Sequence, residues 1–331
     1  SVQKAEQEAD GMPEGKLEFP EADLLGLNME GPFISPVKKG AQDEKNIVPC
    51  NVEIAKRFLK ASEGLVKFIG IAPEESSEAV AFIQEMKDSV DISLAHTNAD
   101  YDTAMAAFAA GANHAVHLYN AMPAFTHRAP GVIGAVADSR HVMVELICDN
   151  VHIHPAVVRA TFAMMGADRM VLISDSMRAT GMPDGTYTLG GLDVSVNGNR
   201  ATLVDGGALA GSVTNLMDCM RTVVKVMKIP LETAVACATA NPARCLGVYD
   251  TYGSISEGKT ALYEKHKKDL RYLKKMVKKH LSAEAYKEIF VRSSEKVSNY
   301  PAYIGMTKKN GRKVPIQGKQ CSQGELYVYL K

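Results

Sequence analysis

Four side chains in this 331-residue chain stand where short apolar runs stop and chemistry could begin: Glu30 after LGLNM, His96 after ISLA, His117 within HAVHLYN and Asp175 after VLIS. Two imidazoles and a carboxylate are a sufficient three-ligand set for a catalytic zinc that keeps an open position for water. A neutral imidazole on a metal also explains why the buried-looking stretch DISLAHTNAD ends on a histidine, since one ring nitrogen meets the ion and the other is left for a neighbouring acceptor. Taken singly, each of the four has a plainer reading as a loop or helix cap. Taken together they point to a site, because a parallel sheet delivers the C-terminal ends of its strands to one edge, where groups about 145 positions apart in sequence can meet.

The elements that must position them are legible as an alternation. LLGLNME, VKFIGIA, DISLAH, HAVHLY, VMVELICD and RMVLISD read as six strands. Between them NVEIAKRFLKAS, SSEAVAFIQEMKD, ADYDTAMAAFAAG and PAVVRATFAMMG carry apolar residues at helical spacing, several opening on Asn, Ser or Asp as N-cap candidates. Near-continuously apolar strands alternating with helices predict a parallel sheet covered on its faces. The pattern then changes to GTYTLGGLDVSVNGNRATLVDGG, whose Gly-Gly and Asn-Gly pairs predict β-hairpins. Two helices follow, around VTNLMDCMRTVVKVM and LETAVACATANPARCLG.

Composition adds bounds. A hydrophobic content of 46% is ample for a core. The six cysteines are scattered without a C-x-x-C pair, the opening SVQKAEQEADGMPEG is polar rather than leader-like, and no apolar run approaches the ~18 residues that span a bilayer. The expectation is a reduced, cytoplasmic protein with no membrane partner. The formal charge of zero conceals an asymmetry: residues 261–331 hold 17 Lys and Arg against 6 Asp and Glu, and the rest of the chain is acidic by the same margin. There LYEKHKKDLRYLKKMVKKHL puts Leu262, Leu270, Leu273, Val277 and Leu281 on one helical stripe with lysines elsewhere. This predicts a basic, mainly helical segment.

LNMEGPFISPVKKGAQ, LAHTNAD, HAVHLYNAMPAFTHRAPG, CDNVHIHP, ISDSMRATG and GGALAGSVTNL resemble, in this order, the successive signatures of the N-acetylglucosamine-6-phosphate deacetylases of the amidohydrolase superfamily. The resemblance runs from about Leu24 to Lys259. It implies a (β/α)8 TIM-type barrel in which Glu30, His96 and His117 hold one divalent ion, zinc by preference, and Asp175 is the general acid/base. It implies further that Asn120, Ala121, Arg128 and His152 bind a substrate phosphate, Arg128 from the neighbouring subunit of a homodimer. Ala41 and Gln42 fall near the reacting carbonyl, and Leu209, Ala210 and Gly211 on a loop touching the sugar. The reaction implied is hydrolysis of the acetamide of N-acetylglucosamine 6-phosphate to glucosamine 6-phosphate and acetate.

Against the family pattern, LLGLNMEGP resembles the third strand, so an incomplete barrel with six of eight strands, the first two missing, is expected. A second metal is left open for the same reason. His114, three before His117, reads by strand alternation as a packing or surface residue on the opposite side; His127 and His141 read as loop residues, and His154 is not required by the pattern. From Ala261 onward the sequence instead resembles part of the helical recognition lobe of the RNA-guided nucleases of type II CRISPR systems. The expected domains are therefore 1–260, the barrel, and 261–331, a foreign basic segment joined by a fusion, a recombination scar or an assembly artefact.

Two other readings stand beside the deacetylase. One is another amidohydrolase acting on a cyclic amide or nucleobase, against which the phosphate-type set Asn120, Arg128 and His152 argues. The other is an inert barrel fragment whose basic segment holds nucleic acid. Lysine-rich phosphate contacts predict an RNA or DNA gel shift at low salt that is lost at high salt; absence of a shift at low salt removes the nucleic-acid reading.

Overall fold

The computed structural model describes residues 24–256, 259, 303–309 and 312–317. Leu25–Leu246 forms one compact unit, and residues from Gly247 belong to a second. The first unit is built on six parallel strands in sequential order: β1 (Leu27–Phe33), β2 (Val66–Ile71), β3 (Asp91–Leu94), β4 (His114–Ala115), β5 (Met143–Ile147) and β6 (Met170–Ile173). The six strands anticipated from apolar runs are these six. β1 and β6 are its edges and do not pair with each other, so the sheet is not closed into a barrel among the described residues.

The connecting helices are α1 (Val52–Ala61), α2 (Ala79–Met86), α3 (Tyr101–Ala110), α4 (Gly131–Asp138) and α5 (Pro155–Met165). Asn51 and Asp100 cap α1 and α3 by accepting the backbone N–H of Ile54 and Thr103 at 3.0 and 2.8 Å. α2 departs from the expected Ser cap; Glu78 stands at its N-cap without a side-chain bond. His154 caps α5, its Nδ1 accepting the Ala156 N–H at 3.2 Å ahead of Pro155. That gives this histidine a helix-capping role.

Strand alternation sorts the two faces. Ile69, Ile71, Ile92, Leu94, Ala115, Val144, Leu146, Met170 and Leu172 share one buried cluster with Phe82, Ile83, Phe108, Val132 and Ile133 of the helices. The alternate positions, Phe68, Gly70, Ser93, His114, Glu145 and Val171, lie on the opposite face, which is smaller and more polar. After β6 comes a three-stranded antiparallel sheet, β7 (Gly185–Leu189), β8 (Leu192–Asn197) and β9 (Arg200–Leu203). Gly190 and Gly191 make its first two-residue turn with φ of +58° and +89°, the left-handed pair that such a turn demands. α6 (Leu216–Lys225), α7 (Leu231–Ala238) and α8 (Ala240–Cys245) complete the unit.

In the second unit the described strands are β10 (Tyr303–Lys309) and β11 (Arg312–Gln317), an antiparallel pair. The basic helical stripe expected over Leu262–Leu281 lies outside the described residues. The hairpin within the supposedly helical segment was not anticipated, although Asn310-Gly311 between two alternating runs is a hairpin signal. Among the described residues no helix is long and apolar enough to cross a membrane.

Ile69 is fully buried in the centre of the sheet. Ile69→Ala is expected to lower unfolding free energy by roughly 2–5 kcal/mol, and Val80→Ala on the exposed side of α2 by less than about 0.5 kcal/mol, both read from urea denaturation.

Candidate functional site

The C-terminal edge of the sheet carries the cluster. Glu30 Oε1 lies 2.7 Å from His96 Nε2 and 2.7 Å from His117 Nε2, and the two nitrogens are 3.2 Å apart. The rings meet edge to face with centroids 4.8 Å apart. Both histidines are buried, while the Glu30 side chain keeps 33% of its surface exposed, so the cluster opens to solvent on the carboxylate side. Among the described residues these three are the only His, Cys, Asp or Glu group whose ligand atoms lie close enough together to share an ion.

The tautomers favour such use. The Lys38 carbonyl, which can only accept, sits 2.7 Å from His96 Nδ1, so that nitrogen carries the hydrogen and Nε2 is turned toward the cluster. With the Nε2 atoms of both rings free of a proton, three electron-rich atoms share one point. A tetrahedral site with ~2.1 Å bonds has ligand–ligand edges of about 3.4 Å, a few tenths of an ångström longer than those seen here, so slight spreading admits a divalent ion. The donor set fits.

Electrostatics follow from the crowding. Burial pushes the Glu30 carboxyl up, but hydrogen bonds from His117 and His96 outweigh it and hold the group well below the usual carboxylate range. Burial works to lower His117, and the hydrogen bond and charge of Glu30 overcome it, raising the imidazole to about 8. Asp175 is raised to about 6, first by burial and then by the Glu30 charge, with His117, His152 and His96 pulling the other way.

Backbone conformation does the aiming. Alternation from Leu94 and Ala115, which face the helices, would send His96 and His117 to the helix-covered side. Both residues instead have left-handed backbones, φ +46° and +32°, as does Asp175 at +49°. Such conformations cost about 1–3 kcal/mol each outside glycine and persist only where the surroundings fix them. Around His96 the fixing is visible: Ser35 N–H donates to its carbonyl at 2.9 Å. The Glu74 carboxylate accepts the Thr97 hydroxyl at 2.5 Å and the Asn98 N–H. Gly40 is needed at φ +56° because a Cβ there would stand 3.1 Å from His96 Cε1. The Ser212 N–H donates to the Asp175 carbonyl at 2.7 Å.

The other anticipated residues divide. Gln42 donates to the Glu30 carbonyl at 3.4 Å, with Ala41 beside it. Leu209 and Ala210 pair with β9, through Thr202 and through an Ala210 N–H bond to the Ala201 carbonyl at 3.1 Å, and Gly211 leads into Ser212 beside Asp175. His152 reaches Asp175 electrostatically and is held by Asp149, whose Oδ2 is 2.7 Å from its Nδ1. The Asn120 amide folds back onto the carbonyls of His117 and Leu118, and Ala121 has φ +51°. Arg128 stands exposed on the following loop, and no hydrogen bond joins it to the cluster. Of the two readings of His114 the structure bears out packing: the residue is buried, with Nε2 2.9 Å from Glu145 Oε1. The alternation that set it opposite His117 stops at Ala115, where β4 ends.

Sequence reading passed over Glu74, Asp149 and the Lys38 carbonyl. Asp149 was findable, an acid placed to accept the N–H two residues on, at Val151, as in an Asx-turn, and that of His152 beyond it. Glu74 lies in a polar loop that gives no signal, and a carbonyl carries none at all.

Residues 10–262 match the profile of the Amidohydrolase family. The chain belongs to that family. It is 40% identical over 241 residues to the N-acetylglucosamine-6-phosphate deacetylase of Bacillus subtilis strain 168, covering 72% of this chain and 60% of that one. It is 35% identical over 242 residues to the N-acetylgalactosamine-6-phosphate deacetylase of Escherichia coli O157:H7, covering 73% and 64%. Among solved structures, a mutant of the Mycobacterium smegmatis N-acetyl-D-glucosamine-6-phosphate deacetylase in complex with N-acetyl-D-glucosamine-6-phosphate superposes with a TM-score of 0.66 at 36% identity, covering 69% of this chain and 61% of that chain. The chain thus spans about 60% of the length of such curated relatives.

For this amidohydrolase-family chain, an ion entering the cluster must displace the proton that Glu30 stabilises on His117. Apparent zinc affinity is therefore expected to rise with pH up to about 8 and then level, with proton release on binding below that pH. Calorimetric titrations in buffers of different ionisation enthalpy measure both. Affinity independent of pH would contradict the competition.

Proposed function

We propose that the chain hydrolyses the acetamide of N-acetylglucosamine 6-phosphate, giving glucosamine 6-phosphate and acetate. The observation that carries this reading is the convergence of Glu30, His96 and His117 beside an aspartate, Asp175, raised to about 6. The names of the relatives supply the substrate class. In this reading the six strands are consecutive units of an eightfold (β/α) barrel, and the protein works in the cytoplasm as a homodimer.

Glu30, His96 and His117 hold one divalent ion, zinc by preference from its two-imidazole, one-carboxylate donors; when bound it polarises the acetamide carbonyl and acidifies water. Asp175 does the proton work. Ionised near neutral pH yet close to its titration point, it takes the proton of the attacking water as the new C–O bond forms. It then delivers that proton to the sugar nitrogen as the C–N bond breaks, so the amine departs neutral rather than as an anion. Gln42, fixed on the Glu30 carbonyl, lies by the reacting carbonyl with Ala41. Leu209, Ala210 and Gly211 follow the sugar.

The phosphate is assigned to Asn120, the Ala121 backbone, His152 and Arg128. Asp149 holds His152 by Nδ1 and leaves Nε2 to the ligand. Arg128, exposed on its loop, offers its planar fork to the site of a second copy. A second reading changes only the sugar: the relative named for N-acetylgalactosamine 6-phosphate makes the C4 epimer a rival substrate.

Acetate release from both phosphosugars and from unphosphorylated N-acetylglucosamine distinguishes these readings. Asp175→Asn is expected to lower turnover on the preferred phosphosugar by at least about 100-fold with zinc content unchanged. Unchanged turnover in that variant refutes the acid/base assignment.

A further inference from the structure

Glu145 is a lone charge in an otherwise apolar strand, VMVELI, and it is buried at 7% exposure. Its two carboxylate oxygens are used differently. Oε1 faces His114 Nε2 at 2.9 Å, and Oε2 accepts the backbone N–H of His117 at 3.3 Å. Its own carbonyl accepts the next amide, Leu118 N–H, at 2.9 Å. One residue therefore grips two successive amides at the point where the chain leaves β4 in a left-handed turn. His114 is itself immobilised, packed against the Phe68 ring with centroids 4.8 Å apart.

The two histidines of the cluster are held by different means. His96 is oriented through its ring, by the Lys38 carbonyl on Nδ1. His117 Nδ1 is buried and meets no hydrogen-bond partner. The direction of the His117 ring then depends on its backbone, and the backbone at φ +32° depends on what fastens the amides.

We infer that Glu145, braced by His114, is the positioning residue for His117, setting the metal affinity of the cluster by fixing the backbone from which that imidazole projects. This rests on the metal-site reading above. Acceptor, charge and register all serve it. A hydrophobic residue at 145 would fill the same volume and leave the His117 N–H free to turn.

The test uses the full chain. The double variant His114→Phe, Glu145→Leu removes both members of the buried pair, so that neither charge is left without its partner, a replacement that proteins often tolerate. It is expected to bind zinc about 10- to 100-fold more weakly than wild type, as loss of a residue that orients a metal ligand usually does. In the metal-free state, hydrogen exchange is expected to quicken at His117 and Leu118 and to stay unchanged in β2. Glu145→Gln, which keeps an oxygen for the His117 N–H, should recover most of the affinity. Should the double variant fail to fold, Glu145→Asp carries the test: it keeps a buried carboxylate but, one methylene shorter, draws it back from the His117 N–H, already 3.3 Å away, and should show the same loss. Wild-type zinc affinity in a folded double variant, or in Glu145→Asp, overturns the positioning role alone. A wild-type chain that takes up no zinc overturns the metal reading and this inference with it.

Discussion

A single carboxylate oxygen facing two imidazole nitrogens, each at 2.7 Å, is the constraint around which this molecule is arranged. It joins the ends of β1, β3 and β4, whose side chains strand alternation alone does not bring together. Meeting requires His96 and His117 to leave their strands with positive φ, and those turns require partners. Hence the polar supports beneath an apolar sheet: Glu74 on Thr97 and Asn98, Glu145 on His117, Ser35 on His96. Each would be costly in isolation, because a buried polar group without a partner loses its hydration for nothing. Here each finds a backbone group that would otherwise be orphaned.

The strain and the desolvation fall where chemistry needs them. Burial that raises Asp175 also strengthens the hydrogen bonds that hold Glu30 ionised between its histidines. Two carboxylates a short distance apart are thereby driven in opposite directions, one kept as a permanent anion and the other poised to carry a proton. Sorting of acid from base by environment is a recurrent way in which one site runs both steps of a hydrolysis.

Much of this was legible before any coordinates. Apolar runs of β-prone residues located all six strands because their burial on both faces leaves little room for polar side chains. Gly190-Gly191 announced its hairpin because few other residues adopt that turn. The gathering of Glu30, His96 and His117 followed from parallel strands ending at one edge. The orientation of the histidines did not, since period-two alternation assigns both to the helix side and the correction lies in a backbone torsion. Alternation places His114 correctly as a packing residue; it fails for His117, which lies past Ala115, where the strand stops. Glu145 is a different case: the charge is plain in VMVELI, but the apolar run around it gives no sign of its partners, His114 and the His117 N–H. The order of motifs along the chain spoke more clearly than any one spacing, and it anticipated the family to which the chain belongs.

The account stands or falls on whether the three ligand atoms share an ion. Zinc content of the purified full chain, measured by plasma mass spectrometry after equilibration with zinc and exhaustive dialysis, tests it most directly. The geometry predicts about one tightly held equivalent in wild type and none above background in the His96→Ala, His117→Ala variant. Retention of the same zinc by both, or of none by wild type, would contradict it.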